Sequence, residues 1–364
     1  MNESIKKIVL TAGGSGGHVF PAEALAKELT ADGAEISFIT DRRGNSFSGR
    51  FPDSKEYRIF AGAYAGKPLL KKLWALLLMG AGIAQSILIL RKIKPDAVVG
   101  FGGYAAFPAS FAAGILKIPL ILHEQNSVLG GANRVLGKRA SLIATTFPDV
   151  ERIPAGIKTE YTGVPVRPEI LSVRDQTYKP AAEMFNLLIF GGSQGASVFS
   201  RVIPAALTAL PEDIKKRLRI SQQCRAADLP AVQKAYENSG LEPELAPFFT
   251  DMADRLAQAH LVICRAGASS IAELSVAGRP ALIVPILRSP DSHQLKNALF
   301  IAKNHGAFLC EEPDFTPEYL SDKMTEFVNT PQILTTAAEK AKELGKPDAV
   351  RLFAAAVLKT AGGS

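Results

Sequence analysis

The chain has 364 residues, enough for two domains, and a composition of 47% hydrophobic and 21% charged residues excludes a disordered protein. Its three cysteines, Cys224, Cys264 and Cys310, form no pair or cluster with metal-ligand spacing. This excludes a disulfide framework or a zinc site and favours a reducing cytoplasm. The net charge of +7 suits an anionic partner, although a mild lysine excess also occurs without any specific partner. No nucleic-acid-binding signature is present, so we expect no nucleic acid partner.

Short apolar runs alternate with helical stretches along the first half of the chain. Residues 5–12 are predicted as a strand, which ends in a glycine loop at residues 13–17. A helix follows, and Pro21 suits its first turn. Further strands are predicted at residues 35–40, 97–99 and 119–122. Strands that alternate with helices indicate a parallel α/β sheet.

One apolar stretch, residues 73–90, contains 18 residues without a charge, the lower limit for a transmembrane helix. Basic residues flank both of its ends, so no charge asymmetry favours one orientation. A single span would also separate the glycine loop from every motif downstream. We therefore predict a buried helix with an exposed apolar end.

The strand–glycine loop–helix pattern restarts in the second half. Strands are predicted at residues 185–190, 261–264 and 281–285, and the first ends in a second glycine loop at residues 191–195. The fold class is therefore α/β, with two doubly wound Rossmann-like domains facing a cleft. We expect domains at residues 1–164 and 165–344, and a last helix at residues 345–364 that returns to the first. Ligands bind at the carboxyl ends of such sheets.

The glycine loop GGSGGH, residues 13–18, has the properties of an anion site. Its backbone N–H groups can approach an anion closely, and the helix that follows adds a partial positive charge. Val19 stands where a dinucleotide-binding fingerprint needs its third glycine, and no P-loop lysine is present. A tight turn without a ligand is the alternative, but a second such loop at residues 191–195 strengthens the interpretation as a site.

Two segments of the second half suit a sugar nucleotide. In residues 265–274, the first helical amides would face a diphosphate, and Glu273 could accept both ribose hydroxyls. Alternatively, Glu273 only favours the dipole of its helix. The polar residues at 291–298 suit sugar hydroxyls, with a solvated loop as the alternative.

Seven motifs in this order, across residues 11–298, resemble the MurG family of glycosyltransferases, which has the GT-B architecture. They are GGSGGHVFPA, GFGGY, HEQN, GVPVR, FGGSQGA, CRAGASSIAEL and DSHQLKNA. The resemblance implies an inverting transfer of GlcNAc from UDP-GlcNAc to an undecaprenyl-linked muramyl-peptide. It implies no cofactor, and because the chain lacks a D-x-D motif, we expect no metal.

The resemblance also assigns residues to the two substrates. The residues implied for the donor are Ser15, Gly16, Gly17, Asn126, Arg167, Ser193, Phe249, Ala268, Ser269, Ser270, Ile271, Ala272, Glu273 and Gln294. Gly14, Gly103 and Tyr104 are implied for the acceptor. Ala106, Phe107 and Val164 depart from the family pattern, which commonly has serine, glycine and asparagine there.

His18 is the candidate general base, with Glu124 behind it, because a histidine at a helix N-terminus is disfavoured as a cation. Alternatively, His18 only positions a phosphate or a hydroxyl.

A lipid-linked acceptor implies a peripheral enzyme on the cytoplasmic face of the bacterial membrane. The predicted contact is residues 64–79, a mixture of apolar and basic side chains that suits an anionic membrane surface. Its members are Tyr64, Leu69, Leu70, Leu73, Trp74, Leu77 and Leu78, with Lys67, Lys71 and Lys72 among them. These leucines could instead form core. Other cell-wall synthesis proteins are further implied partners.

Three other functions remain open from the residues. The chain could be another GT-B enzyme, such as a lipid galactosyltransferase or a UDP-GlcNAc 2-epimerase. It could be a flavin or nicotinamide oxidoreductase, which the broken glycine fingerprint disfavours. It could also bind a sugar nucleotide without turnover.

Overall fold

The computed structural model describes residues 5–13, 16–41, 51, 54–62, 68–192 and 195–362. The chain divides into two compact units. Unit 1 comprises Met1–Val166 with Pro347–Ser364, and unit 2 comprises Arg167–Lys346. Each unit contains one parallel sheet covered by helices, which confirms the predicted α/β class with two such domains.

Unit 1 is built on a seven-stranded parallel sheet of order β3-β2-β1-β4-β5-β6-β7. Its strands are β1 (Lys7–Thr11), β2 (Glu35–Asp41), β3 (Lys55–Ile59), β4 (Ala97–Gly100), β5 (Leu120–Glu124), β6 (Leu142–Thr145) and β7 (Thr159–Tyr161). Its helices are α1 (Gly16–Ala31), α2 (Leu69–Ile93), α3 (Gly103–Ile115), α4 (Gly131–Gly137) and the last helix of the chain, α14 (Ala349–Gly362).

The central strands of unit 1 are apolar throughout because helices cover both faces of the sheet. Ile8 and Leu10 of β1 enter one core with α1 and α14, and Val9 between them enters the other core with α2 and α3. Phe353 of α14 packs edge-on against Phe101, their ring centroids 5.7 Å apart. The last helix is therefore part of this core.

Helix α1 begins at Gly16, so Pro21 lies inside the helix and not in its first turn as predicted. Proline has no N–H, and at this position it leaves the carbonyl of Gly17, four residues earlier, without a helical donor. The helix tolerates this loss because another residue supplies the donor, as described below.

Helix α2 is less buried than the predicted buried helix with an exposed apolar end. A single stripe faces inward, and its members are Ala75, Met79, Gly82, Ser86 and Leu90. The exposed leucines lie at both ends, with Leu73, Leu76 and Leu77 near the start and Leu88 near the finish. A Cβ on Gly82 would lie 1.9 Å from the carbonyl oxygen of Phe60, so this stripe fits closely against the chain that follows β3. Helix α2 is therefore a half-covered outer layer of unit 1.

Unit 2 is built on a six-stranded parallel sheet of order β10-β9-β8-β11-β12-β13. Its strands are β8 (Phe185–Phe190), β9 (Leu218–Gln223), β10 (Glu244–Ala246), β11 (Leu261–Cys264), β12 (Ala281–Ile283) and β13 (Phe308–Leu309). Its helices are α5 (Pro168–Arg174), α6 (Ser197–Thr208), α7 (Glu212–Lys215), α8 (Leu229–Tyr236), α9 (Met252–Gln258), α10 (Ala268–Ala277), α11 (His293–Lys303), α12 (Pro317–Asn329) and α13 (Pro331–Leu344). The predicted strands at 185–190 and 261–264 match β8 and β11 in their bounds.

Candidate active site

Two helices of unit 1 begin beside each other at the carboxyl edge of its sheet. Helix α1 follows β1, and α3 follows β4 after Gly102, which has φ +86° and no side chain to cap the helix. A Cβ on Gly102 would lie 3.5 Å from Cε1 of His18, and one on Gly103 would lie 3.7 Å from Cδ2 of that ring. His18 therefore lies against the first turn of α3, and helix N-terminal amides face this region, as anion sites require.

The His18 imidazole is held in its neutral form. Desolvation by burial lowers its pKa, and hydrogen bonding with the backbone of Phe101 opposes that shift only in part. Within the described residues, its Nδ1 is buried and has no hydrogen-bond partner. A neutral imidazole is suited to accept a proton or a hydrogen bond from a substrate.

Gln125, in the loop that follows β5, fixes the start of α1. Its side-chain Nε2 donates to the carbonyl of Gly17 at 2.6 Å. That carbonyl is the one that Pro21 leaves without a helical donor. Gln125 therefore completes the first turn of α1. Gln125 was not predicted as a site residue from the sequence, although it lies between the predicted residues Glu124 and Asn126.

Glu124 holds its own loop together. Its Oε1 accepts from the backbone N–H and the side chain of Asn126, and its Oε2 accepts from the N–H of Gly130 and Nδ2 of Asn133. The three short bonds are 2.9 Å long. Burial raises the pKa of Glu124, and these donors oppose the shift. Within the described residues, Glu124 makes no hydrogen bond to His18. The contacts of Glu124 therefore do not include the expected one with His18.

His123 is a second buried histidine that the sequence analysis did not select. Its ring stacks on Phe353 with centroids 5.0 Å apart, and its Nε2 lies 3.3 Å from the carbonyl oxygen of Gly163. Burial lowers its pKa to about 4, and the nearby His18 contributes to that shift. Both histidines are therefore neutral near pH 7.

The segment expected to contact the acceptor begins at Gly103 and Tyr104. Tyr104 is half-buried, whereas Ala106 is fully buried. Phe107 stacks on Phe111 of the same helix, with ring centroids 5.6 Å apart. The two departures from the family pattern at 106 and 107 thus contribute to the packing of α3.

In unit 2, Arg167 and Glu273 form a two-point ion pair. Nε of Arg167 donates to one carboxylate oxygen at 2.9 Å, and Nη2 donates to the other at 3.0 Å. The side chains are 34% and 18% exposed, so solvent can reach both groups. The structure therefore brings together two of the residues that the resemblance implies for the donor.

Helix α10 begins after Gly267 without a side-chain cap, which leaves its first amides for a ligand. Ser269, Ser270, Ala272 and Glu273 are partly exposed. Ile271 is core, and Ala268 is also buried. The predicted stretch 268–273 can thus offer backbone N–H groups and a few side chains, but Ile271 cannot contribute its side chain.

Gln294 lies at the start of α11, after Asp291 and Ser292, which both have φ +53°. Its Oε1 accepts from the N–H of Ile286 at 3.0 Å, and its own N–H donates to Oγ of Ser289 at 3.2 Å. Gln294 therefore shapes the 286–290 loop. Asn297, one turn later, is fully buried and donates to the carbonyl of Ala266 at 3.2 Å, a contact that the sequence analysis did not predict.

Phe249 is buried beside α9, where the Arg255 guanidinium lies 3.9 Å from the centroid of its ring. Gly14, Ser15 and Ser193 lie outside the described residues. The described part of the chain holds no group of three or more His, Cys, Asp or Glu that could bind a metal.

Two family models cover most of the chain. The glycosyltransferase family 28 N-terminal domain matches residues 8–145, and the family 28 C-terminal domain matches residues 186–353.

A relative from Rhodospirillum centenum is 45% identical over 99% of this chain and 96% of its own length. Another, from Brucella canis, is 44% identical over 95% of this chain and 92% of its own length. Both carry the name UDP-N-acetylglucosamine–N-acetylmuramyl-(pentapeptide) pyrophosphoryl-undecaprenol N-acetylglucosamine transferase.

Solved structures also resemble this chain in fold. The crystal structure of Acinetobacter baumannii MurG superposes with a TM-score of 0.80 at 32% identity and covers 97% of this chain and 99% of that one. A UDP-GlcNAc 2-epimerase from Neisseria meningitidis has a TM-score of 0.67 at 14% identity and covers 98% of this chain and all of its own. The second likeness shows the fold alone.

Proposed function

Because this chain belongs to glycosyltransferase family 28, and within it to the MurG group, we propose that it transfers GlcNAc from UDP-GlcNAc to lipid I and so forms lipid II. The acceptor atom is the C4 hydroxyl of the muramyl sugar. The observation that carries this proposal is the match to named transferases over nearly the whole length of both chains. The epimerase shares only the fold, so it gives no comparable support for epimerisation.

Unit 2 supplies groups that fit the donor. The Arg167 guanidinium suits the diphosphate because its planar fork pairs with phosphate oxygens. The Glu273 carboxylate can accept hydrogen bonds from the ribose hydroxyls. The uncapped N-terminus of α10 adds amides and a partial positive charge next to both, which stabilises the charge that develops on departing UDP.

Unit 1 supplies the base. In an inverting transfer, the acceptor oxygen forms a bond to the anomeric carbon while the bond from that carbon to UDP breaks. The hydroxyl proton must go to a base, and the neutral His18 imidazole can take it. Gln125 and Glu124 act indirectly, since one fixes the start of α1 and the other fixes the 126–133 loop.

Helix α2 supplies a surface for the lipid-linked acceptor. Its Leu73–Ile93 segment is long and apolar enough to cross a membrane by length and composition, yet 28% of its most apolar 18-residue window is buried in the protein. We favour peripheral attachment because the inward stripe is part of unit 1. Leu73, Trp74 and Leu77 of the predicted patch are exposed, whereas Leu78 is half-buried. The cytoplasmic face, where UDP-GlcNAc is available, is the proposed location.

The deciding experiment is transfer of labelled GlcNAc from UDP-GlcNAc to a short-chain lipid I analogue. We expect label in a product that carries both sugars, and the Glu273→Ala variant should lose transfer at low donor concentration. Release of free N-acetylmannosamine or its nucleotide without any labelled lipid product would instead identify an epimerase. Binding of UDP-GlcNAc without turnover would identify a sugar-nucleotide-binding protein.

A further inference from the structure

Gln223, the last residue of β9, joins two segments of unit 2 through a single buried side chain. Its Oε1 accepts from the N–H of Gly191 at 3.2 Å. Its Nε2 donates to the carbonyl of Gly192 at 3.2 Å and to the carbonyl of Pro247 at 3.0 Å. Gln223 thus connects the glycine loop after β8 with the segment after β10.

The glycine loop depends on the groups that Gln223 contacts. A Cβ on Gly191 would lie 2.5 Å from the backbone nitrogen of Ala196, so the two ends of the loop pack tightly against each other. Gly192 and Gly195 have φ +78° and +68°, and the carbonyl of Gly192 also accepts from the N–H of Gly195 at 3.1 Å. The two ends of this loop are therefore held partly by their own backbone and partly by Gln223.

The second segment is held at two points. Gln223 binds the carbonyl of Pro247, and two residues later the ring of Phe249 lies under the Arg255 guanidinium. Arg255 is itself fixed, because its Nη2 donates to Glu244 at 2.6 Å and its Nε donates to Asp251 at 2.8 Å. Residues 247–249 are therefore rigidly placed relative to the sheet.

We infer that Gln223 is a positioning residue of the donor site, which fixes the distance between Gly191–Gly192 and residues 247–249. This inference rests on the proposed function, and it takes the glycine loop as the anion site for the donor diphosphate and Phe249 as one of the implied donor residues. The parts of the donor that reach these two places are covalently linked, so both places must lie at the matching separation before the donor binds. A side chain that holds both subsites in advance favours binding by preorganisation.

The test compares two adjacent glutamines of β9. Gln223→Glu keeps the size and the acceptor for Gly191, but it removes both donated bonds and sets a carboxylate against two carbonyls. Gln223→Met removes all three bonds without adding a charge. Gln222→Glu is the matched control, because Gln222 is equally buried, and its Oε1 accepts from the hydroxyl of Tyr236 at 2.9 Å, within the core on the other side of β9.

Both Gln223 variants should weaken UDP binding and raise the KM for UDP-GlcNAc by about tenfold or more, since each loses at least two hydrogen bonds. The KM for the lipid acceptor should not change. Gln222→Glu should lower the melting temperature comparably but keep the affinity for UDP. The inference is overturned if the Gln223 variants bind UDP like wild type, or if Gln222→Glu loses as much affinity. If wild type itself does not bind UDP while it is folded, the proposed function fails first and this inference falls with it.

Discussion

At the scale of single residues, the pKa of His18 has a direct kinetic consequence. We predict that His18→Ala lowers kcat by about 10²–10⁴-fold, the usual contribution of a general base, and leaves the KM for UDP-GlcNAc nearly unchanged. Because burial lowers the pKa of His18 below its ordinary value of 6.5, the ring is already neutral at that pH. The wild-type kcat should therefore be flat above pH 6.5 and fall only below it.

Steady-state kinetics across this pH range can check both parts of the prediction. A variant with normal kcat and only a raised acceptor KM would show that His18 positions the acceptor and does not take its proton.

Gln125 and Pro21 should be thermodynamically coupled. Gln125→Leu removes the donor to the carbonyl of Gly17, and we expect the free energy of unfolding to fall by about 1–3 kcal/mol, the cost of an unsatisfied buried group. Pro21→Ala restores a backbone N–H that can reach this carbonyl within the helix. The double variant should therefore recover stability relative to Gln125→Leu alone.

Urea denaturation of the wild type, the two single variants and the double variant measures this coupling. Additive losses in the double variant would show that Pro21 and Gln125 do not act on the same carbonyl.

At the scale of secondary-structure elements, the N-terminus of α10 and the Arg167–Glu273 pair should act as one binding element. Glu273→Ala and Arg167→Ala are each predicted to weaken UDP binding by about 1–3 kcal/mol. Because the two side chains bind each other at two points, each single variant also releases its partner. The double variant should therefore lose less than the sum of the two single losses.

Calorimetric titration with UDP measures the affinity of the wild type, the two single variants and the double variant. Lys340→Ala, which breaks an exposed ion pair with Glu343 on α13, is a matched control and should bind UDP normally. If both single variants bind UDP with unchanged affinity, the donor does not bind at this part of unit 2.

The sequence predicts those elements best that are buried on both sides. Strands β8 and β11 are mostly apolar and almost wholly buried, and their bounds were predicted correctly. Strand β3 was missed because its residues are mostly polar and exposed at the sheet edge. Strand β9 was missed because it ends in Gln222 and Gln223, two buried polar residues that interrupt the apolar pattern.

The site residues also divide into those that the sequence predicts and those that it does not. Glycine loops and helix starts can be located from sequence because they need particular residue types at fixed spacing. The pairing of Arg167 with Glu273 joins residues 106 positions apart, and no local pattern encodes it. The role of Pro21 was misjudged for a similar reason, since the donor that compensates for it lies on the β5 loop, 108 residues from Gly17.

At the scale of the whole molecule, the outer face of α2 should attach the protein to membranes. Trp74, Leu76 and Leu77 are 64%, 56% and 60% exposed and form an apolar surface at the start of the helix. A Cβ on Gly62, in the chain that leaves the carboxyl end of β3, would lie 2.6 Å from the carbonyl oxygen of Ala75. This end of α2 therefore lies near the sheet edge where the glycine loop and α3 begin.

Replacing Trp74, Leu76 and Leu77 with serine should reduce binding to anionic vesicles by more than about tenfold, because exposed apolar side chains would otherwise enter the lipid interface.

The matched control is Leu88→Ser with Ile115→Ser. These two residues are 67% and 48% exposed and lie near the other ends of α2 and α3, with Leu88 about 16 Å along α2 from Leu77. Co-sedimentation of the three proteins, with thermal melting as the check of folding, makes the comparison. Attachment through the start of α2 is contradicted if the triple variant sediments like wild type, if it unfolds, or if the control is released equally. If attachment is correct, the triple variant should still bind UDP but should transfer GlcNAc poorly to acceptor embedded in vesicles.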